Sequence, residues 1–111
     1  MERFTFAAGY EPDDARLDGV TIAPLTSPMR DGAPFQAAIF RLVPGGRIAR
    51  HPAAVPQLLA VLEGSGFVCG ADSVEEPIHA GEAVVWAAGE QHETRSDAGL
   101  TALVLEGPGL R

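Results

Sequence analysis

Hydrophobic positions along the chain recur in short runs, and Gly or Pro residues separate one run from the next. The run at 47–51 (RIARH) alternates between polar and apolar residues, whereas 57–64 (QLLAVLEG) is almost continuously apolar. Alternation with a period of two indicates a strand with one solvated face, and a short apolar run indicates a strand covered on both faces. A helical turn over 57–63 is the alternative, but the stretch between Pro56 and Gly64 is short for a helix. The pattern predicts strands rather than helices.

The same pattern continues from residue 20 to the end of the chain and predicts about nine or ten short strands. Thirteen Gly and nine Pro residues supply the frequent turns that such a series needs. Strands at intervals of roughly ten residues are typical of an antiparallel sandwich or a closed barrel. The predicted strands are 20–26, 34–43, 47–51, 57–64, a short strand within 65–71, two strands within 73–90, 92–96 and 100–107, with turns at 27–32, 44–46 and 79–81.

The length of 111 residues suits one domain, which we place at 20–111, and residues 1–19 are predicted to form an N-terminal arm. Phe4 and Phe6 alternate around Thr5, which indicates a short strand, whereas 10–19 is rich in turn-forming residues. The arm is expected to lie over the barrel or over a partner subunit.

Charge and composition exclude several classes of function. The net charge is −7, with eight Lys and Arg against fifteen Asp and Glu, so binding to nucleic acid or to an anionic membrane surface is disfavoured. Cys69 has no second cysteine to pair with, which favours a reducing compartment. The N-terminus lacks the features of a signal peptide and no stretch is long and apolar enough to span a membrane. We therefore expect a soluble, cytoplasmic protein.

Two segments combine Gly and His at fixed spacing, and they resemble the two conserved motifs of the cupin superfamily. In the first segment Ala53 stands where the motif has its second His, and Gln57 stands where it has Glu; in the second, Ala87 replaces Pro and Ser96 replaces Asn. The positions that match are Gly45, His51 and Gly64 in the first segment and Gly81, Gly89 and His92 in the second. The resemblance implies an all-β fold, a small antiparallel β-barrel or double-stranded β-helix of the jelly-roll type.

The resemblance also implies one metal pocket, for which His51, Gln57 and His92 are the candidates. Alternate residues of each strand point into a small barrel, so three polar residues at strand ends can converge on its interior. Imidazole nitrogens and an amide oxygen suit a divalent transition metal such as Fe, Mn, Zn, Ni or Cu. Three protein ligands leave coordination positions open, as in catalytic sites. The alternative is that both His residues are polar residues at the barrel mouth, the remnant of a lost site.

Replacement of Glu by Gln57 leaves a divalent ion with its full charge, so the expected ligand is a small anionic molecule. A metal-dependent dioxygenase or isomerase is one expectation, although no general base accompanies His51 and His92 in sequence. A non-catalytic ligand- or sugar-binding module without metal is the alternative. Trp86 is expected in the core or in the pocket wall, and Arg50 at the pocket mouth or in solvent. The apolar strands 57–63 and 100–106 predict a homodimer.

Overall fold

The computed structural model describes residues 1–26 and 35–110, and every element in these ranges is a β-strand. All paired strands are antiparallel, which gives the closed jelly-roll barrel that the sequence predicts. Within the described residues no helix is long and apolar enough to cross a membrane. The predicted turn at 27–32 lies outside the described residues. The strands are β1 (Leu17–Pro24), β2 (Gln36–Pro52), β3 (Gln57–Cys69), β4 (Glu76–His79), β5 (Ala83–Trp86), β6 (Gln91–Arg95) and β7 (Leu100–Glu106).

Two long strands, β2 and β3, each belong to both halves of the barrel. The first half of β2 pairs with β7, and its second half pairs with β6. The first half of β3 likewise pairs with β7, and its second half pairs with β6. The short strands then extend the sheets, since β1 pairs with β2, and β4 and β5 pair with β3. The barrel closes because β6 and β7 each bridge the two long strands.

The described residues form fewer strands than the sequence predicts, because the predicted turn at 44–46 lies inside β2 and the predicted strand boundary after Gly64 lies inside β3. Gly45 and Gly64 have φ angles of 86° and 81°, a left-handed region in which residues with a Cβ are strained. At each glycine the strand bends and changes partners without ending. The strand predicted around Phe4 and Phe6 does not form, and both side chains are exposed.

The barrel core consists of side chains that alternate along these strands. Along β7 the inward residues are Leu100, Ala102 and Val104, all almost completely buried. The alternate positions Leu103 and Leu105 lie on the outer face and are only partly buried. The homodimer expected from these apolar outer positions stays a prediction. The core cluster is Val20, Leu42, Ile48, Leu59, Val61, Val68, Ile78, Trp86, Leu100, Ala102 and Val104.

The segment 10–16 is hydrogen-bonded to β1 and β2, and its residues Asp14 and Arg16 reach the end of the barrel where the candidate site lies. Tyr10 forms an isolated antiparallel bridge with Ile22 of β1, with N–O distances of 2.9 and 2.8 Å. Farther along, the Arg16 carbonyl oxygen accepts a hydrogen bond of 2.7 Å from the amide of Ala49 in β2. These backbone bonds fix the segment before β1 beside the strand that carries His51.

Candidate functional site

Two histidines face each other across neighbouring strands at one end of the barrel. The β2–β6 register places His51 directly opposite His92, just past an irregularity between Ile48 and His51. Their ring centroids are 4.4 Å apart and the ring planes are inclined at 53°. His92 is 3% exposed, whereas His51 is partly buried. The barrel therefore brings the two imidazoles together although 40 residues separate them in sequence.

Backbone carbonyl groups fix the orientation of both rings. Nδ1 of His51 lies 2.7 Å from the carbonyl oxygen of Ala49, and Nδ1 of His92 lies 3.2 Å from that of Glu90. Since a carbonyl oxygen only accepts, each Nδ1 carries the hydrogen, and in the neutral form of each ring the lone pair is on Nε2. Burial lowers the pKa of His92, which further favours its neutral form. Both Nε2 atoms are thus prepared to act as metal ligands or hydrogen-bond acceptors.

Gln57 begins β3 and lies between two other residues of the site. It is paired with Trp86 of β5 on one side and with Glu106 of β7 on the other. Its amide Nε2 donates a hydrogen bond of 3.0 Å to Oε1 of Glu106. With the NH₂ group directed at the carboxylate, the amide oxygen Oε1 makes no hydrogen bond to the described residues and can accept another partner.

All three predicted ligands line one cavity of about 180 Å³ in the barrel end. This volume corresponds to about six water molecules, so the space suits a small ligand. The lining is mixed, with six apolar side chains and seven polar or charged ones. The lining residues are Asp14, Arg16, Leu17, Phe40, Ile48, His51, Gln57, Leu59, Trp86, His92, Thr94, Val104 and Glu106.

Trp86 belongs both to the core and to the cavity wall, the two alternatives left open by the sequence. It is 2% exposed, and its ring centroid lies 4.4 Å from that of His92 with the planes inclined at 32°. Its indole Nε1 donates a hydrogen bond of 3.2 Å to the carbonyl oxygen of Cys69. The indole therefore supports the buried face of His92.

Arg50 does not lie at the pocket mouth, which corrects the expectation from sequence. As the immediate neighbour of His51 on β2, its side chain projects to the opposite face. There Nη1 donates to the carbonyl oxygen of Gly70 at 3.1 Å, and Nη2 donates to that of Ala71 at 3.2 Å. Arg50 ties the loop after β3 to the outer surface of β2 and makes no contribution to the cavity lining.

The structure adds a carboxyl group, Glu106, that the sequence analysis missed. Burial raises the pKa of Glu106, and the neighbouring His51 opposes this effect. A sequence signal was present, because Leu100, Ala102 and Val104 alternate on the inward face and Glu106 continues that series. The expectation that no general base accompanies the histidines is therefore corrected: a carboxyl group faces the same cavity.

The replacement Glu106→Gln is expected to stabilise the metal-free protein at neutral pH. Between 4.5 and its raised folded-state pKa, Glu106 holds its proton in the folded protein and loses it in the unfolded chain. Its contribution to stability is therefore greatest below pH 4.5 and declines as the pH rises through the folded-state pKa. Urea unfolding between pH 4 and 8, with chelator present, measures the free energy of unfolding. The value for the variant minus the value for the wild type should increase as the pH increases.

Glu82→Gln provides a control of opposite sign. The backbone N–H of His79 donates a hydrogen bond of 2.8 Å to Glu82, and this bond lowers the pKa of the carboxyl group. Glu82 therefore contributes stability that is present above pH 4.5 and lost on acidification. The free energy of unfolding of the Glu82→Gln variant should therefore decrease relative to that of the wild type as the pH rises. If the stability difference from the wild type changed with pH in the same direction for both variants, the buried environment assigned to Glu106 would be contradicted.

Residues 38–106 match the family model described as the cupin domain. The match extends from the third residue of β2 to the end of β7. The chain belongs to the cupin family. No curated protein matches it. The matched residues include both histidines, Gln57 and Glu106, so the candidate metal ligands of this cupin and Glu106 lie within the family domain. Three residues of the cavity wall, Asp14, Arg16 and Leu17, precede it.

Solved structures resemble this cupin over most of its length. The polyketide cyclase RemF from Streptomyces resistomycificus is 24% identical, with a TM-score of 0.79 over 96% of this chain and 78% of that one. A cupin-like protein from Thermotoga maritima is 18% identical, with a TM-score of 0.78 over 98% and 83%. A predicted oxalate decarboxylase from the same organism is 23% identical, with a TM-score of 0.69 over 78% and 77%. These similarities show the fold.

The donor atoms in the cavity of this cupin fit a metal ion only as a set of three. Within residues 1–26 and 35–110, no three His, Cys, Asp or Glu side chains are arranged to hold a metal. The fit thus requires Gln57 as the third donor, and its free amide oxygen is chemically suitable. The two other replaced motif positions, Ala53 and Ser96, supply no ligand. Ala53 is buried and does not line the cavity, and the buried Ser96 hydroxyl donates to the Ser65 carbonyl at 2.6 Å. Two imidazoles and one amide oxygen remain as the ligand set.

Proposed function

We propose that this cupin binds one divalent transition-metal ion and a small anionic substrate in the barrel cavity and catalyses isomerisation. His51, His92 and Gln57 would hold the ion. The observation that carries the proposal is the convergence of two carbonyl-oriented imidazoles, one amide and one carboxyl group on a single small cavity. When bound, the metal supplies a positive charge that polarises a substrate oxygen.

Glu106 favours isomerisation over dioxygenation, the other reaction class expected from sequence. Isomerisation by proton transfer needs a group that accepts a proton from one substrate atom and returns it to another. A carboxyl group whose pKa is raised by burial is better suited to both steps than one with an ordinary pKa. Oε1 of Glu106 accepts the hydrogen bond from Gln57, which leaves Oε2 to face the substrate. The same bond orients the Gln57 amide, as outer-shell carboxylates commonly orient metal ligands.

Metal analysis tests the proposal. Protein purified without chelators, and protein stripped and then reloaded with Fe²⁺, Mn²⁺, Zn²⁺, Ni²⁺ or Cu²⁺, should contain close to one ion per chain. His51→Ala should lower the affinity at least about a hundredfold, because loss of a ligand exceeds the 10–100-fold effect typical of an outer-shell partner. His79→Ala is the matched control, since His79 is exposed and pairs with Glu82 outside the cavity.

A second candidate function is a non-catalytic ligand-binding cupin that needs no metal. The observation that favours it is the ligand set itself, which contains two histidines and no directly coordinating carboxylate among the described residues. A protein that stays metal-free under every loading condition, yet binds small anions, would support this function and contradict the first. Equal metal contents of the wild type and His51→Ala would also contradict the first function.

A further inference from the structure

A tight turn in the N-terminal segment places an ion pair at the entrance of the cavity. The Asp14 carbonyl accepts the amide of Leu17 at 3.0 Å, and Asp14 Oδ1 accepts the backbone N–H of Arg16 at 2.9 Å. The Arg16 guanidinium then turns back on the same carboxylate, with Nε 3.0 Å from Oδ1 and Nη2 2.7 Å from Oδ2. The hydrogen bonds from Arg16 lower the pKa of Asp14 to about 2, so both groups are charged at neutral pH.

This ion pair lies over the candidate metal ligands. Asp14 and Arg16 line the same cavity as His51 and His92, and the Arg16 carbonyl is bonded to Ala49, two residues before His51. Of the residues that line the cavity in the described part of the chain, Arg16 alone carries a permanent positive charge. Its Nη1 makes no hydrogen bond to the described residues and is available to a ligand.

We propose that Arg16 is the receptor for the carboxylate of the ligand and selects small organic acids for this cavity. A guanidinium presents its N–H groups in a planar fork that matches a carboxylate, and Asp14 already occupies one edge of that fork. An incoming carboxylate binds at the edge with Nη1 and competes with Asp14 for Nη2. Asp14 thus keeps Arg16 oriented in the ligand-free protein, and it lowers the affinity of Arg16 for the ligand carboxylate.

The remaining wall specifies the other end of the ligand. Six apolar side chains share the wall with the polar residues, so the cavity also offers apolar contacts to a ligand that Arg16 binds: Leu17, Phe40, Ile48, Leu59, Trp86 and Val104. A volume of about 180 Å³ is smaller than the roughly 300–1,000 Å³ of drug-sized ligand pockets. A compact acid with a planar or branched apolar body combines these requirements. The inference specifies the substrate class of the proposed function, but the Arg16 contact itself requires no metal.

Benzoate and its neutral counterpart benzamide are suitable probes, because they differ in the charged group and share the apolar body. Their dissociation constants are measured by NMR titration of the full chain, once with chelator and once after loading with Zn²⁺. The metal-free wild type should prefer benzoate, and Arg16→Gln should reduce the benzoate-to-benzamide affinity ratio about fivefold. Arg41→Gln, which removes a guanidinium from the outer face of β2, should leave the ratio unchanged.

Asp14→Asn separates a binding role of Arg16 from a structural one. The Asn side-chain oxygen can still accept the backbone N–H of Arg16 and keep the turn, but the competing negative charge is removed. The affinity ratio should therefore rise in Asp14→Asn and fall in Arg16→Gln. If the pair were merely structural, both variants would lower or preserve the ratio together.

The two proposals fail in different ways. An unchanged ratio in Arg16→Gln, or no benzoate binding by the wild type at millimolar concentration, overturns the role of Arg16. Absence of metal in the reloaded protein overturns the metal-dependent function, while a charge preference that depends on Arg16 in the chelated protein would still stand.

Discussion

Replacement of Trp86 by alanine is expected to lower the free energy of unfolding by about 3–5 kcal/mol, the range for a buried aromatic side chain replaced by alanine. Trp86 is 2% exposed and belongs to the main core cluster, so its removal leaves a cavity that the surrounding strands cannot fill. The indole also contacts the ring of His92. The variant should therefore bind metal more weakly than the wild type at temperatures where it remains folded.

Trp86→Phe is the matched variant for this prediction. It keeps an aromatic ring beside His92 but loses the hydrogen bond from Nε1 to the Cys69 carbonyl, so a loss of about 1–2 kcal/mol is expected. Urea unfolding followed by circular dichroism gives the free energies, and metal titration gives the affinities. A Trp86→Ala protein as stable as Trp86→Phe would contradict the assignment of Trp86 to the core.

The second large effect is expected at Gly64, where β3 bends between its two partner strands. Its φ of 81° strains any residue with a Cβ by about 1–2 kcal/mol. An added Cβ would also overlap the carbonyl oxygen of Gly99 and lie 2.9 Å from Cα of Leu100. Overpacking of this kind adds about 1–3 kcal/mol, so Gly64→Ala should destabilise the protein by roughly 3 kcal/mol or more.

Gly45→Ala isolates the steric part of this effect. Gly45 has a similar φ of 86°, but an added Cβ there would meet no atom within 4 Å. Only the backbone strain applies, and a loss of about 1–2 kcal/mol is expected. Thermal and urea unfolding of the two variants measure the difference. Equal destabilisation would show that the contact with β7 does not determine the requirement for glycine at position 64.

The sequence predicted the barrel from local strand patterns, and it predicted the three ligand candidates from their positions in the two cupin-like motifs. Alternation along each strand sets which residues face inward, and His51, Gln57 and His92 lie at strand ends on the inward faces. The strand count was too high because Gly residues within an apolar pattern are equally compatible with a turn and with a bend. Whether Gly45 and Gly64 end a strand depends on partners that are distant in sequence.

Residues missed or misplaced depend on long-range register. Glu106 is 49 positions from Gln57, and only the β3–β7 pairing brings the two together. Arg16 reaches the cavity because the N-terminal segment bonds to β2, a path that its turn-rich sequence does not specify. For Arg50 the sequence left the pocket mouth and solvent open, and the inward position of its direct neighbour His51 favours the second. The irregularity after Ile48 also shifts the register of β2 against β6 by one residue, and the sequence pattern gives no sign of this shift.

The pairing of β2 with β6 has a consequence for changes in chain length. Because side chains alternate with a period of two, one residue inserted between Ile48 and His51 would turn His51 toward solvent while His92 stayed inside. An insertion in the connection between Pro52 and Gln57 would leave both strands in register. Insertions that preserve the site are therefore expected in that connection. A chain with one residue inserted within 48–51 should retain the barrel but lose its paired imidazoles.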